Sequence, residues 1–396
     1  MIGGSDLARE LAAITPWADK AAPITRAERE ARVAGARRLM DQTGTDALLV
    51  GAGASLLYFT GVGWGMIERL VALLLTPEGK PVFIVPTFEI GSLLPVLDLD
   101  CEIADWEEHE SPAKLIADIL ARSGAQSLAI DPALPFGMAV ALQNACALRH
   151  VHSAAPIIDG CRATKSPAEL ALMQQAKAMT LEVQRRAARA LTPGVKASAV
   201  RRFIDEAHKA IGSAGSTFCI VQFGASSAFP HGLPQDDILQ DGDMVLIDTG
   251  CAVQGYNSDI TRSYVFGTPD AEQRRVWEIE REAQQAAFDV VRPGLACEAV
   301  DRAARDVLER HGLGPGYALP GLPHRTGHGI GLSIHEGPYL VPGDRTPLAP
   351  GMCFSNEPMI VVPGRFGIRL EDHFHVTDQG AAWFTQPSPA IDRPFA

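Results

Sequence analysis

Two aspartates, Asp248 and Asp259, stand in the stretch VLIDTGCAVQGYNSDITRSY, residues 245–264. Asp248 closes an apolar run of the kind that forms a buried strand, and a carboxylate there is costly unless something neutralises it. Gly255 and Asn257-Ser258 mark a reversal, so the segment reads as a strand, a turn and an antiparallel return that brings the two carboxylates together. Facing carboxylates repel unless they are protonated or bridged by a cation. Further on, HRTGHGIGLSIHEG holds His324, His328 and His335 among Gly327, Gly329 and Gly331. So many glycines exclude a helix and predict a loop or strand where backbone approaches closely and imidazoles are presented. FSNEPMIVVPG then places Glu357 before a proline, and FGIRLEDHFHV places Glu371, each beside strand-like sequence.

Asp248, Asp259, His328, Glu357 and Glu371 together make four carboxylates and one imidazole. That is a mostly hard oxygen set, suited to Mn²⁺ and less selectively to Zn²⁺ or Co²⁺, and unlike a thiolate zinc site. Four carboxylates balance a pair of divalent ions better than one. Two metals about 3.5 Å apart can share a bridging water, lower its pKa and clamp the developing oxyanion.

The elements that must carry these residues follow a repeated plan. LTPGVKASAV at 191–200 is echoed by VRPGLACEAV at 291–300, each after a long helical pattern and before another helix and strand-like sequence. This predicts a duplicated helix–helix–strand unit with two similar halves. The first long helix has a capping box, with Ser166 as N-cap, Pro167 at N1 and Glu169 at N3. Upstream, RAEREARVAGARRLMDQTG reads as a helix stopped at Gly44, DALLVGA as a buried strand, LVALLLT and PVFIVP as strands around the turn PEGK, and SPAKLIADILARSG as another helix. That alternation predicts an α/β domain over residues 1–160, with a second domain over 161–396.

The chain has 396 residues, of which 46% are hydrophobic and 21% charged, and a formal net charge of -12. This acidic balance argues against nucleic-acid binding and against an anionic membrane surface. The start lacks a basic segment followed by an apolar run, and the most apolar stretch is broken by Pro, Gly and charge. Seven scattered cysteines without a CxxC fit a reduced, cytoplasmic setting.

The motifs IDTG, GYNSDITRSY, GHGIGLSIHE, NEP and IRLEDHF resemble those of the "pita-bread" metallopeptidases, a group that includes methionine aminopeptidase, aminopeptidase P and prolidase. The resemblance spans roughly residues 165–385, and the upstream domain resembles the creatinase-like N-terminal domain of the prolidase and aminopeptidase P branch. It implies an α/β (α+β) protein: a pita-bread catalytic domain with pseudo-two-fold duplicated halves, preceded by that creatinase-like domain. It implies further that Asp248 binds one metal, that His328 and Glu357 bind the other, and that Asp259 and Glu371 bridge them. Glu357 would also accept the proton of the bridging water, and His335 would donate to the scissile carbonyl or its oxyanion. His231, in SSAFPHGLP, resembles the histidine on the opposite pocket wall. His324 and Arg369 resemble the residues that the proline-specific branch adds near the substrate carboxyl end. Arg369 would grip a carboxylate, or neutralise Glu371. In one respect the chain departs from the pattern: relatives often read Glu-Pro-Gly-X-Tyr where this chain has EPMIV, so Met359 and Val361 replace the Gly and Tyr.

The large N-terminal domain and moderate length favour prolidase, an Xaa-Pro dipeptidase that attacks the X-Pro bond with the metal-bridging water and so takes an X-Pro dipeptide as substrate. The same resemblance implies a homodimer in which Trp64, within LLYFTGVGWGMIERL, caps the neighbouring pocket. Aminopeptidase P and an ectoine-type amidohydrolase are the alternatives on this scaffold, and a non-catalytic peptide-binding protein is a remoter one. The lyase branch would carry altered residues at the first aspartate, where this chain keeps DTG.

Overall fold

The computed structural model describes residues 2–395. It separates into two units: Pro23–Arg162 forms one, and the chain up to Ala22 joins the chain from Ala163 onward to form the other. The division falls between Arg162 and Ala163, and the residues up to Ala22 belong with the second unit. Helix α1 (Leu7–Ala12), capped by Asp6, belongs to the second unit. The reason is apolar: Ile2, Leu7, Leu11, Ile14 and Trp17 pack on that unit's core around Phe203, Ile204 and Ile211.

In the N-terminal unit, α2 (Arg26–Thr43) starts at the Thr25 cap and stops at Gly44, which adopts φ 64 as a left-handed terminator. The central sheet is built from β1 (Leu48–Gly51), β2 (Ala72–Leu75), β3 (Val82–Pro86), β4 (Glu102–Trp106), β5 (Ser127–Ile130) and β6 (His150–Ser153). Its order is β4-β3-β2-β1-β5-β6. The β3–β4, β1–β5 and β5–β6 pairs are parallel; the β1–β2 and β2–β3 pairs are antiparallel. Every residue of β1, β2 and β5 is buried, as expected of strands covered on both faces. The remaining helices are α3 (Ala54–Thr60), α4 (Ile90–Leu93), α5 (Pro112–Ser123), α6 (Phe136–Ala145) and α7 (Ala155–Arg162).

The C-terminal unit realises the predicted duplication. Its first half runs α8 (Pro167–Arg189), α9 (Ala197–Ile211), β7 (Ser216–Phe223), β8 (Met244–Val253), β9 (Tyr256–Asn257) and β10 (Ile260–Val265). The second runs α10 (Ala271–Asp289), α11 (Cys297–Arg310), β11 (Gly327–Gly329), β12 (Glu336–Leu340), β13 (Cys353–Asn356), β14 (Met359–Val362), β15 (Phe366–Arg369), β16 (Asp372–Val376) and β17 (Ala381–Trp383). The capping box at Ser166 and Glu169 is formed as expected. One sheet has the order β10-β8-β7, with β9 on β8; the other has β12-β11-β13-β16-β17, and β14 and β15 form a separate hairpin. Among the described residues no helix is long and apolar enough to cross a membrane.

Candidate metal centre

Antiparallel pairing places Thr261 opposite Asp248 and Ile260 opposite Thr249, so Asp259, just before β10, returns beside Asp248. Close approach here requires Gly250, because a Cβ at that position would run into the Ser258 carbonyl oxygen. The second half repeats the device: a Cβ on Gly327, beside His328, would strike the Ser355 carbonyl oxygen. Glu357 directly follows β13, and Glu371 lies between β15 and β16.

A seam joins the halves and carries Glu371 to the aspartates. Ser263 Oγ donates to the Arg369 carbonyl at 2.8 Å and accepts from its N–H at 3.0 Å. The Glu371 N–H donates to the Thr261 carbonyl at 3.1 Å. Behind it, Arg262 and Asp372 form a fully buried ion pair at 2.8 Å, and Arg262 also donates to the Glu371 carbonyl at 2.9 Å. Removing one partner of such a pair strands a buried charge, at a cost of about 3–5 kcal/mol.

Asp248, Asp259 and Glu371 offer oxygens within 4.8 Å of one another, and a second triad brings a His328 ring nitrogen within the same distance of oxygens of Glu357 and Glu371. A third triad groups Asp259 and His328 with His335. Burial, followed by the neighbouring carboxylates, drives Asp259 and Glu371 well above the usual carboxylate range. At such separations each pair of like charges costs roughly 3 kcal/mol at an effective dielectric of about 20. Asp248 is also raised by burial, against the pull of Arg369. Glu357 moves the other way: burial opposes ionisation, but His328, His324 and Arg369 hold the carboxyl low. Its Oε1 accepts from Ser355 Oγ at 3.0 Å and lies 3.0 Å from His328 Nε2. His328 Nδ1 meets the Gly329 carbonyl at 3.0 Å, which selects the tautomer with Nε2 free as a donor atom.

The remaining sequence candidates take different positions. His335 is exposed, its ring 4.2 Å from that of His328, and burial of its inner face together with His328 lowers its pKa to about 4. His324 Nδ1 bonds the Arg325 carbonyl at 2.7 Å, leaving Nε2 buried without a partner. The loop that carries it is anchored by α11: Arg305 donates to the His324 carbonyl at 2.6 Å, and Asp301 accepts from the Thr326 N–H at 3.0 Å. His231 is exposed, in a loop whose Pro230 carbonyl lies 3.5 Å from Arg369 Nη1. Trp64 lies in the N-terminal unit, half-buried, its carbonyl accepting from the Gly53 N–H at 2.9 Å. The ion-pair partner of Arg369 is Asp248, and its Nε donates to Thr261 Oγ1 at 3.0 Å. The antiparallel register puts Thr261 opposite Asp248, and the seam sets Arg369 against both.

Two histidine-and-lysine features escaped the sequence reading. His373 is fully buried, has no hydrogen-bond partner on either ring nitrogen, and lies 3.7 Å from Glu371 Oε1. Lys177 is fully buried under the Phe384 ring and donates to the Asn257 carbonyl at 3.1 Å. The HFH alternation was a signal for the first; nothing local marks the second.

Residues 171–378 match Metallopeptidase family M24, and residues 32–164 match the Creatinase/Prolidase N-terminal domain. The chain belongs to metallopeptidase family M24. It is 36% identical to the probable dipeptidase PepE of Mycobacterium tuberculosis, over 88% of this chain and 92% of that protein. It is 30% identical to the Xaa-Pro dipeptidase of Pyrococcus horikoshii, over 88% and 94%. The crystal structure of dipeptidase PepE from Mycobacterium ulcerans superposes with a TM-score of 0.85 at 36% identity, covering 92% of this chain and 97% of that one. The pita-bread architecture with a creatinase-like N-terminal domain follows from this membership.

The residues at the centre of this M24 chain fit divalent cations. Asp248 Oδ1, Asp259 Oδ1, Glu371 Oε1 and His328 Nε2 are buried and have no hydrogen-bond partner. Unpartnered buried polar atoms are costly and rare, and these four all belong to the one cluster of hard ligands.

Proposed function

We propose that this chain is an Xaa-Pro dipeptidase working with two divalent metal ions, Mn²⁺ by preference over Zn²⁺ or Co²⁺. The observation that carries the reading is the buried cluster of Asp248, Asp259, His328, Glu357 and Glu371 with its unpartnered donor atoms. Asp248 would hold one ion, His328 and Glu357 the other, and Asp259 and Glu371 both. Bound there, the pair would supply an activated water and electrophilic pull on the peptide carbonyl.

The chain's own groups account for the rest. Glu357, its carboxyl held low by the His328 and His324 imidazoles and the Arg369 guanidinium against the cost of burial, would accept the proton of the attacking water. His335, neutral at pH 7, can donate its ring N–H to the carbonyl oxygen as charge develops there. His324 has its Nδ1–H committed to the Arg325 carbonyl, so Nε2 would donate to the proline carboxylate only from the protonated ring. Arg369 spends Nη2 on Asp248 and Nε on Thr261, so Nη1, with only a 3.5 Å contact, is the edge left for that carboxylate. His231 would line the opposite wall. In a homodimer, Trp64 of the partner subunit would close the pocket and shorten the accepted substrate. Similarity to relatives named dipeptidases supports this reading, and seven free cysteines support a cytoplasmic setting.

The test is to deplete metal, reload separately with Mn²⁺, Zn²⁺ and Co²⁺, and offer Ala-Pro, Gly-Pro, Ala-Pro-Ala and N-acetyl-diaminobutyrate. Ala-Pro should exceed Ala-Pro-Ala in kcat/KM by about 10–150-fold, the worth of a charge-assisted grip of roughly 1.5–3 kcal/mol. Equal cleavage of the tripeptide would make the chain an aminopeptidase P, and preference for the acetylated amine would make it an amidohydrolase.

A further inference from the structure

The echo between the two halves reaches into the protein interior. Gln184 on α8 and Gln284 on α10, one hundred residues apart, are both buried. Gln184 Nε2 donates to the Ile260 carbonyl at 2.5 Å and the Ile247 carbonyl at 3.5 Å. Ile247 precedes Asp248, and Ile260 follows Asp259. Gln284 Nε2 donates to the Leu370 carbonyl at 3.0 Å and the Asn356 carbonyl at 3.3 Å. Leu370 precedes Glu371, and Asn356 precedes Glu357. Each amide therefore joins the two backbone segments that carry one half's pair of acidic ligands. Gln284 also reaches Asp372 Oδ2 at 3.3 Å, and the Asn356 amide donates back to the Gln284 carbonyl at 2.8 Å.

We propose that Gln184 and Gln284 are matched positioning residues of the metal centre, each holding together the two strand ends that present one half's carboxylates. The proposal rests on the metal-dependent reading above. A primary amide is the side chain suited to this task, because its two N–H groups can serve two carbonyls at once; a carboxylate offers none and a thioether offers none. The task is real because the carboxylates on the joined segments repel each other before cations arrive. Strand ends free to spread would offer the ions a looser set of oxygens, and ligand placement within about 0.5 Å is what a tight site demands. Neither glutamine touches a ligand side chain, so both act through the backbone.

The experiment uses the full chain, stripped of metal and titrated with Mn²⁺ alone. Gln184→Met and Gln284→Met keep length and apolar volume while removing the donors. Val183→Ala and Val276→Ala, at buried apolar positions of the same two helices, serve as controls that lose stability without touching those carbonyls. Calorimetric titration should show each Met variant binding at least one Mn²⁺ about 10–100-fold more weakly, the usual effect of losing an outer-shell partner. The paramagnetic resonance signal of the coupled ion pair should give way to that of an isolated ion. The controls should bind within threefold of wild type at equal or greater loss of thermal stability. Met variants that bind like wild type, or controls that weaken binding as much, would overturn the proposal. A wild-type chain that binds no Mn²⁺, Zn²⁺ or Co²⁺ would instead overturn the metal-dependent reading beneath it.

Discussion

Glu371 is held on one side and left open on the other. Its Oε2 accepts from Thr261 Oγ1 at 2.7 Å, while Oε1 has no partner. Asp259 likewise keeps a buried, unpartnered Oδ1. Replacing either with Ala should therefore cost both ions together with activity; elemental analysis that still finds two tightly bound metals per chain would refute the shared-ligand assignment. His335 should behave differently. It sits at the exposed edge of the cluster, so His335→Ala should retain both metals and lower kcat by about 10²–10³, as when an oxyanion donor is lost. Metal content and kcat measured on the same sample decide this, and loss of one ion would make His335 a ligand. The carboxylates and histidines of the buried cluster were visible in the sequence by residue type and glycine-rich context, and the family resemblance singled out His328 and assigned the set as metal ligands. The partner of Arg369 could not, because it depends on a register between strands more than one hundred residues apart. Arg262 with Asp372 was equally hidden: LEDHF shows a carboxylate, but not the guanidinium buried against it.

The long helices and their stops were readable locally, since caps such as Ser166–Glu169 and Gly44 act within a few residues. What the helices do inside the unit was not. On α9, His208 is buried between Thr180 Oγ1 at 3.2 Å and Ser216 Oγ at 2.9 Å. Burial lowers its pKa from 6.5 to about 4. The folded chain thus holds it neutral where the unfolded chain binds a proton, and this contribution to stability is present above pH 6.5. It falls as pH drops from about 6.5 towards 4, by roughly 3 kcal/mol in all. Thermal midpoints measured from pH 7 to pH 4.5 should decline less in His208→Gln than in wild type. Parallel decline in the two proteins would mean that His208 carries none of the acid sensitivity.

For the whole molecule, the two family matches and the two structural units agree on an α/β domain followed by a duplicated catalytic unit. The exception is the opening segment, whose sparse apolar residues gave no local hint of which unit they would join. The Trp17 side chain is half-buried on the catalytic core, and its backbone N–H donates to the Ile211 carbonyl at 2.8 Å. Trp17→Ala should cost about 2 kcal/mol, read as a lower thermal midpoint of the catalytic unit; an unchanged midpoint would show the contact to be idle. Chelation should lower that midpoint further, since ions at one hundred times their Kd contribute about 2.7 kcal/mol. This arrangement also imposes an order of events on synthesis. The Pro23–Arg162 unit is an insertion between two parts of another. At about 5–20 residues per second, the ribosome adds Ile211 roughly 10–40 s after it adds Trp17. The N-terminal unit can fold in that interval, while Leu7, Leu11, Ile14 and Trp17 wait with no surface of their own to cover. Until then these side chains are open to a chaperone that binds apolar segments.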